Sequence, residues 1–427
     1  MHLNVPKYLE FKYLINLLIS LIPLSFIAGN LAININVTLI TICSLIFFGK
    51  EFFKIKFFFL DKLFIAFFIF SLFSGIVNNF NILSNSTFEN ENLIKSLFFF
   101  RYLLFYFSIK LIVEKNILNF KLFFISASLA ALFVSLDLVL QLINGKDIFG
   151  NLKTTHKLSG PFGDEQIAGS YLQRFSIFLF FLLPMYTKEK SKNLLILLLS
   201  GFFMLIFFSL IISGNRMPIV LFIIMFLILF LFEKKLRKFS ILFTISSLVL
   251  FILIHNLIPQ VEDFTRHFLQ SVYQLIVNFY ELIFDGKSSD IANPYLREFY
   301  SGYVTWKENI FIGGGINSFY LNCLNTGTNN CASHPHNYYL EILSEIGLIG
   351  FILISIIFLK ILNFSIISKN KLSLNFNQNL ITPFILLFLI EIFPIKTSGS
   401  FFTTGNASFI FFIIAIIVGL SKKSKNH

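Results

Sequence analysis

Apolar runs close to the length of a bilayer-spanning helix recur along this chain from its first dozen residues to its last, separated by short polar stretches. A hydrocarbon core about 30 Å thick is crossed by about 20 residues of helix. Composition agrees with that reading. Hydrophobic residues are 56% of the 427 and charged residues 13%, with a mean hydropathy of +0.80, far more apolar matter than a soluble core needs. The chain is therefore read as an all-α integral membrane protein with about twelve transmembrane helices. The spans are expected near residues 12–29, 31–49, 60–77, 96–113, 122–143, 168–186, 194–212, 218–232, 239–258, 338–362, 380–397 and 407–420. Residues 1–427 form a single polytopic domain, with one large, partly helical loop at 259–337 between spans nine and ten.

The net charge of +12 suggests nucleic acid only until the lysines are placed. They cluster in alternate loops: Lys50, Lys54 and Lys56; Lys115 and Lys121; Lys188, Lys190 and Lys192; Lys234, Lys235, Arg237 and Lys238; Lys369 and Lys371; Lys422, Lys423 and Lys425. This positive-inside pattern puts those loops and both termini in the cytoplasm and the 259–337 loop outside, and it removes the case for nucleic acid. The first apolar run lacks a small-residue cleavage site and reads as a signal anchor. Cys43 falls in a span, whereas Cys323 and Cys331 share the outside loop, where an oxidising compartment lets them pair; two free thiols are the alternative.

Polar residues inside spans cost about 2.5–3.5 kcal/mol each and usually find partners in the bundle. Arg101, Asp137 with Gln141 one turn later, Arg174 and Glu391 are such residues. Arg101 and Asp137 read either as a structural ion pair or as substrate-facing groups. Asp164 and Glu165 lead into span six and read as helix-dipole partners. Span seven ends in Ser-Gly-Asn-Arg-Met-Pro, which holds Arg216 in a tight turn at the outer face before Pro218 starts span eight.

In the large loop, residues 261–284 suit a helix lying on the bilayer surface. Asn293-Pro294 opens a second helix, which carries Tyr295, Arg297, Phe299, Tyr300 and Trp306 and is expected to break at Gly313-Gly314-Gly315. The aromatic side chains there serve either to stack sugars or as interface anchors. The loop re-enters the membrane through His334-Pro-His336-Asn337, followed by Glu341 and Glu345 one helical turn apart. A helix N-terminus there offers free N–H groups and a positive dipole end to a phosphate; the plainer reading is that Asn337 caps the span and the histidines are interfacial. His334, before a proline, shapes the turn. No Walker motif, GxGxxG before a helix, Asp-x-Asp, His-Glu-x-x-His or Cys-x-x-Cys occurs, which argues against ATP-driven transport and zinc hydrolysis.

His336-Asn337, nine further residues, then Gly347 and Gly350 resemble the His, Asn/Ser/Gln, nine variable positions, Gly-x-x-Gly pattern of the O-antigen ligase and polymerase-like membrane glycosyltransferases. Arg216 in its small-residue turn and Arg297 ahead of an aromatic helix are similar to that family's arginines, and the span count and loop position agree. The resemblance implies a GT-C-like fold at the bacterial inner membrane. It implies transfer of a glycan from undecaprenyl diphosphate to an acceptor hydroxyl, in lipid A-core or another glycan acceptor, at the periplasmic face. On that reading His336 is the base and Arg216 and Arg297 hold the leaving diphosphate. Asn337, Arg101, Asp164, Glu165, Trp306 and Glu341 are the expected substrate-binding residues, with Glu341 or Asp164 able to orient His336 or to serve as the base instead. The energy lies in the carrier bond, so no cofactor, metal or ATP is expected, although Asp164 and Glu165 leave room for a divalent ion. A polymerase is the alternative, disfavoured because only one outside loop is long and it is not strongly basic. A polysaccharide flippase is the second.

Overall fold

The computed structural model describes residues 5–55, 57–79, 91–153, 157–186, 192–232, 237–284, 294–327, 331–371, 378–397 and 399–423. Among these residues helices alternate with loops, and no strand forms beyond an isolated bridge between Lys146 and Leu152. Six helices are long and apolar enough to cross a membrane, or eight if each of two bent pairs counts as one span. Shorter apolar helices at Ser200–Ile212, Arg216–Phe232 and Leu380–Glu391 fall where spans seven, eight and eleven are expected. The all-α membrane class is thus what the chain adopts. The residues of the expected span six are divided at Ser176 between helices Ala168–Phe175 and Ile177–Tyr186. Asn293 and most of the Asn78–Asn92 loop lie outside the described residues, as do Lys188, Lys190, Lys234, Lys235 and Lys425.

The chain divides into two compact units: residues 1–40, 116–270 and 374–390 form one, and residues 41–115, 271–373 and 391–427 the other. The first is centred on the Phe120–Asn144 helix, which starts with Asn119 accepting from Leu122 N and ends on left-handed Gly145. Phe123, Phe124, Phe178 and Phe384 stack around it with centroids 5.0–6.3 Å apart. Its two polar residues tie down the loop that follows. Asp137 Oδ1 accepts from Ile148 N at 2.8 Å. Gln141 accepts from Gly160 N at 2.9 Å and donates to Asn151 O at 3.2 Å. Asp137 therefore serves its own loop, and its expected partner Arg101 belongs to the other unit.

The second unit packs helices Phe59–Asn79, Glu91–Phe99, Arg101–Glu114, Pro294–Glu308, Tyr338–Lys371 and Thr404–Lys423. At one end a buried charge cluster joins three of them. Lys110 Nζ pairs with Asp61 Oδ2, and Tyr106 O–H donates to Asp61 Oδ1 at 2.8 Å. Lys110 also lies 3.8 Å from Glu114, which takes Lys422 Nζ at 2.7 Å. Asp61 and Lys110 are 0% and 1% exposed. An isolated buried charge is costly, so each of these ions is held by the other and by further hydrogen bonds. The helix ends gathered here are those that the lysine pattern assigns to the cytoplasm.

The ends assigned to the outside meet in the same unit. The Tyr338–Lys371 helix, expected as one continuous span, is broken at Gly347, where φ is 71° and ψ −175°. A break in a membrane helix frees backbone groups that water cannot satisfy. The Ile310–Gly315 turn supplies the missing partners. Gly314 N donates to Ser344 O at 2.9 Å and Gly315 N to Glu345 O at 2.8 Å, while Leu348 N donates to Ile310 O at 2.8 Å. Ser74 and Asn78 reach over to bond Ile312 O and Gly313 O at 2.8 and 3.0 Å. The Gly-rich turn thus completes the broken helix, and the Pro294–Glu308 helix before it has already ended several residues earlier.

Candidate functional site

The second unit brings Arg297, Glu298 and His336 together, with Asn337 next to His336, Trp306 further along the helix of Arg297 and Glu341 one turn after Asn337, and the reason begins with the Pro294–Glu308 helix. Ser301, Gly302 and Thr305 give it a small-residue face. A Cβ on Gly302 would stand 2.8 Å from Pro335 Cβ and 3.2 Å from Leu340 Cβ, so only glycine lets the helix approach the His334–Asn337 turn this closely. Residue 298 lies one turn before 302 on the same face. Glu298 Oε1 is accordingly 3.7 Å from His336 Nε2. Burial pushes the Glu298 carboxyl above the usual carboxylate range, and the charges of His336 and Arg297 pull it partly back.

His336 is about a third exposed, its side chain at 36%. It takes a left-handed backbone, φ 50°, which a non-glycine residue holds only at a cost of about 1–3 kcal/mol. The His334 ring lies 4.2 Å from it, and Ser333 Oγ is 2.9 Å from His334 Nδ1. Asn337 is the cap of the following helix: its Oδ1 accepts from Tyr339 N and Leu340 N at 3.0 and 3.2 Å. Its amide nitrogen donates to Pro394 O at 2.8 Å, so both ends of the side chain hold backbone.

Glu341 is buried at 2% exposure and accepts from Phe401 N at 2.6 Å. The acid that faces His336 is therefore Glu298, while Glu341 fastens the turn at 400–401. Trp306 donates its ring N–H to Ile310 O at 3.0 Å and so steadies the turn that completes the broken helix. Arg101, in the same unit, donates to Tyr102 O–H at 2.8 Å and to Thr404 Oγ1 at 3.4 Å. Glu391 pairs with Lys396 at 2.6 Å. Gly350 lies where Ile346 leaves no space for a side chain, with Ile346 Cγ2 at 2.3 Å from a built Cβ.

The other expected residues lie in the first unit. Arg216 is the first residue of the Arg216–Phe232 helix, after a turn through Ser213 and left-handed Gly214. Asn215 Oδ1 accepts from Gly169 N at 2.9 Å and its amide donates to Gln166 O at 3.0 Å, which ties that turn to the segment carrying Asp164 and Glu165. Both acids are exposed. Among the described residues no three His, Cys, Asp or Glu side chains are grouped to hold a metal ion. Lys157 sits half-buried near Arg216; burial, then the Arg216 charge, holds its ammonium below the usual lysine range.

Glu298 and Lys157 were missed from sequence. Glu298 adjoins Arg297, and that adjacency is the only local signal it gives.

The fold and these side chains define a multi-pass membrane protein with polar, titratable groups gathered on a loop and helix start at one end of its spans. Residues 201–355 match the family model described as O-antigen ligase, and over that segment the chain is O-antigen ligase-like. The matched segment contains Arg216, Arg297, His336, Asn337, Gly347 and Gly350. Comparison with curated proteins finds no match.

Proposed function

We propose that the protein is a membrane glycosyltransferase of the ligase type, moving a glycan from undecaprenyl diphosphate to an acceptor hydroxyl, in lipid A-core or another glycan, at the periplasmic face of the inner membrane. The observation that carries this reading is His336, strained and part-exposed beside Glu298 and Arg297, inside the segment that matches O-antigen ligase. The acceptor hydroxyl gives its proton to His336 as its oxygen bonds the anomeric carbon. The bond from that carbon to the carrier phosphate breaks, and its electron pair stays on the diphosphate. A histidine base contributes about 10²–10⁴-fold. Arg297, in the same unit as His336, suits the diphosphate because guanidinium stays charged and forks onto phosphate oxygens. The Cys323–Cys331 disulfide fits an oxidising, outside compartment. Of Arg101, Asp137, Arg174 and Glu391, which a transport path would use, Arg101, Asp137 and Glu391 hold local partners, which weakens the flippase reading.

Glycan profiling of a deletion strain, complemented with wild type or His336→Ala, tests this. Long glycan missing from the acceptor and accumulated on the carrier, not rescued by the variant, is the expected result. Single repeat units left on the acceptor identify a polymerase instead. Lipid-linked glycan crossing the bilayer with no covalent transfer would restore the flippase.

A further inference from the structure

A carboxylate beside a histidine base changes what that base can do, and Glu298 is held beside His336 from both sides. From its own helix, the close seating of Gly302 on Pro335 and Leu340 brings residue 298 to the turn. From the turn, the left-handed backbone of His336 and the Asn337 cap fix where the imidazole starts. The result is Glu298 Oε1 at 3.7 Å from His336 Nε2. Hydrogen bonds of catalytic groups are often this long before substrate binds. The other oxygen, Glu298 Oε2, is buried with no hydrogen-bond partner among the described residues, so no structural bond among them competes for the carboxylate. Arg297 acts on Glu298 with the same sign as a protonated His336 and favours its ionised form.

We propose that Glu298 is the positioning residue of His336, holding its proton on Nε2 so that Nδ1 presents a lone pair to the acceptor hydroxyl. This rests on the reading of His336 as the base. As the acceptor proton arrives at Nδ1, the imidazolium is flanked by the Glu298 carboxylate, while the acceptor oxygen bonds the anomeric carbon and the carrier diphosphate leaves with the electron pair. The carboxylate–histidine logic is general: the acid keeps its own negative charge and stabilises the cation that forms. The charged and titratable groups that face this pair are Arg297 from the helix and His334 from the turn.

The test uses the full-length protein in detergent, with histidine isotopically labelled and the His336 signal assigned by its loss in His336→Ala. Glu298→Gln is expected to move the His336 titration midpoint down relative to wild type. With host membrane polyprenyl-diphosphate-linked glycan as donor, kcat is expected to fall by up to the contribution of the base itself, about 10²–10⁴-fold, at unchanged KM. The acid limb of kcat should move down in pH together with the histidine. Glu298→Asp, which draws the carboxylate back by one methylene, should give a smaller shift in the same direction and serves if the Gln variant does not accumulate. An unmoved His336 titration overturns the proposal even if transfer falls, because the loss is then structural. A moved titration with full kcat overturns it too. A His336→Ala protein with full transfer overturns the base reading and this proposal with it, whereas an inactive His336→Ala beside a fully active Glu298→Gln overturns this proposal alone.

Discussion

Gly313 packs against the backbone of Gly347: a Cβ on Gly313 would stand 2.5 Å from Gly347 N, and one on Gly347 would stand 2.4 Å from the carbonyl carbon of Phe311, in the same turn as Gly313. Both also take positive φ, 73° and 71°. The first glycine of that Gly-x-x-Gly pair is thus explained by backbone packing, with the broken helix and the Gly-rich turn completing each other's hydrogen bonds.

Gly347→Ala therefore meets a clash and a disfavoured φ at once. It is expected to destabilise the protein by more than about 2 kcal/mol, read as a lower unfolding temperature in detergent. Gly201, whose Cβ would meet open space, provides the control: Gly201→Ala should leave unfolding nearly unchanged. Equal behaviour of the two variants would refute the crossing.

The Asp61–Lys110 pair makes a different prediction. Removing one ion leaves the other buried, at 0% or 1% exposure, and breaking such a pair costs about 3–5 kcal/mol. Asp61→Asn and Lys110→Met should each lower folded yield sharply. The double variant should recover much of the loss, measured by thermal unfolding in a double-mutant cycle. Additive losses would show that the two charges do not depend on each other.

For Glu298 the sign follows from its raised pKa. Burial lifts the folded value above the ordinary 4.5, so the folded state holds that proton more tightly than the unfolded one. Its stabilising contribution is complete below the unfolded value and disappears as pH rises through the folded one. Glu298→Gln should thus be as stable as wild type, or more so, at neutral pH, with the difference shrinking in acid. Thermal unfolding across pH checks this, and a variant less stable than wild type at neutral pH would contradict it.

Cys323 and Cys331 close a loop with a sequence separation of 8. Loop-closure entropy for so short a ring is worth about 2–3 kcal/mol. Reduction, or Cys323→Ser with Cys331→Ser, should loosen the segment before His334, seen as faster amide exchange at 319–333. Unchanged exchange would assign the bridge no local role.

Fold class was legible in sequence because apolar runs and lysine placement each sum over many residues, and such sums survive local error. Arg216 was legible because Ser-Gly-Asn before it admits little besides a turn. Gly347 was not, since hydropathy runs on through a glycine, and the turn that breaks and repairs the helix lies in another part of the chain. That break turns one expected span into two segments. Asp61 and Lys110 were not singled out in sequence, since each falls near one end of an expected span; only packing of three helices shows them as a pair. Glu298 sits on a half-polar helix among aromatics, and its relation to His336 depends on Gly302 reaching Pro335. Glu341 was the nearer acid in sequence and looked the better partner, yet its carboxylate turns to Phe401 N.

Transfer by purified protein is the most direct test of His336. Wild type and His336→Ala, each shown to unfold at the same temperature, would be given lipid-linked glycan and acceptor, and release of carrier diphosphate followed with formation of the new glycosidic bond. The account predicts coupled release and bond formation by wild type, reduced about 10²–10⁴-fold in the variant. Full transfer by a normally folded His336→Ala protein would contradict it.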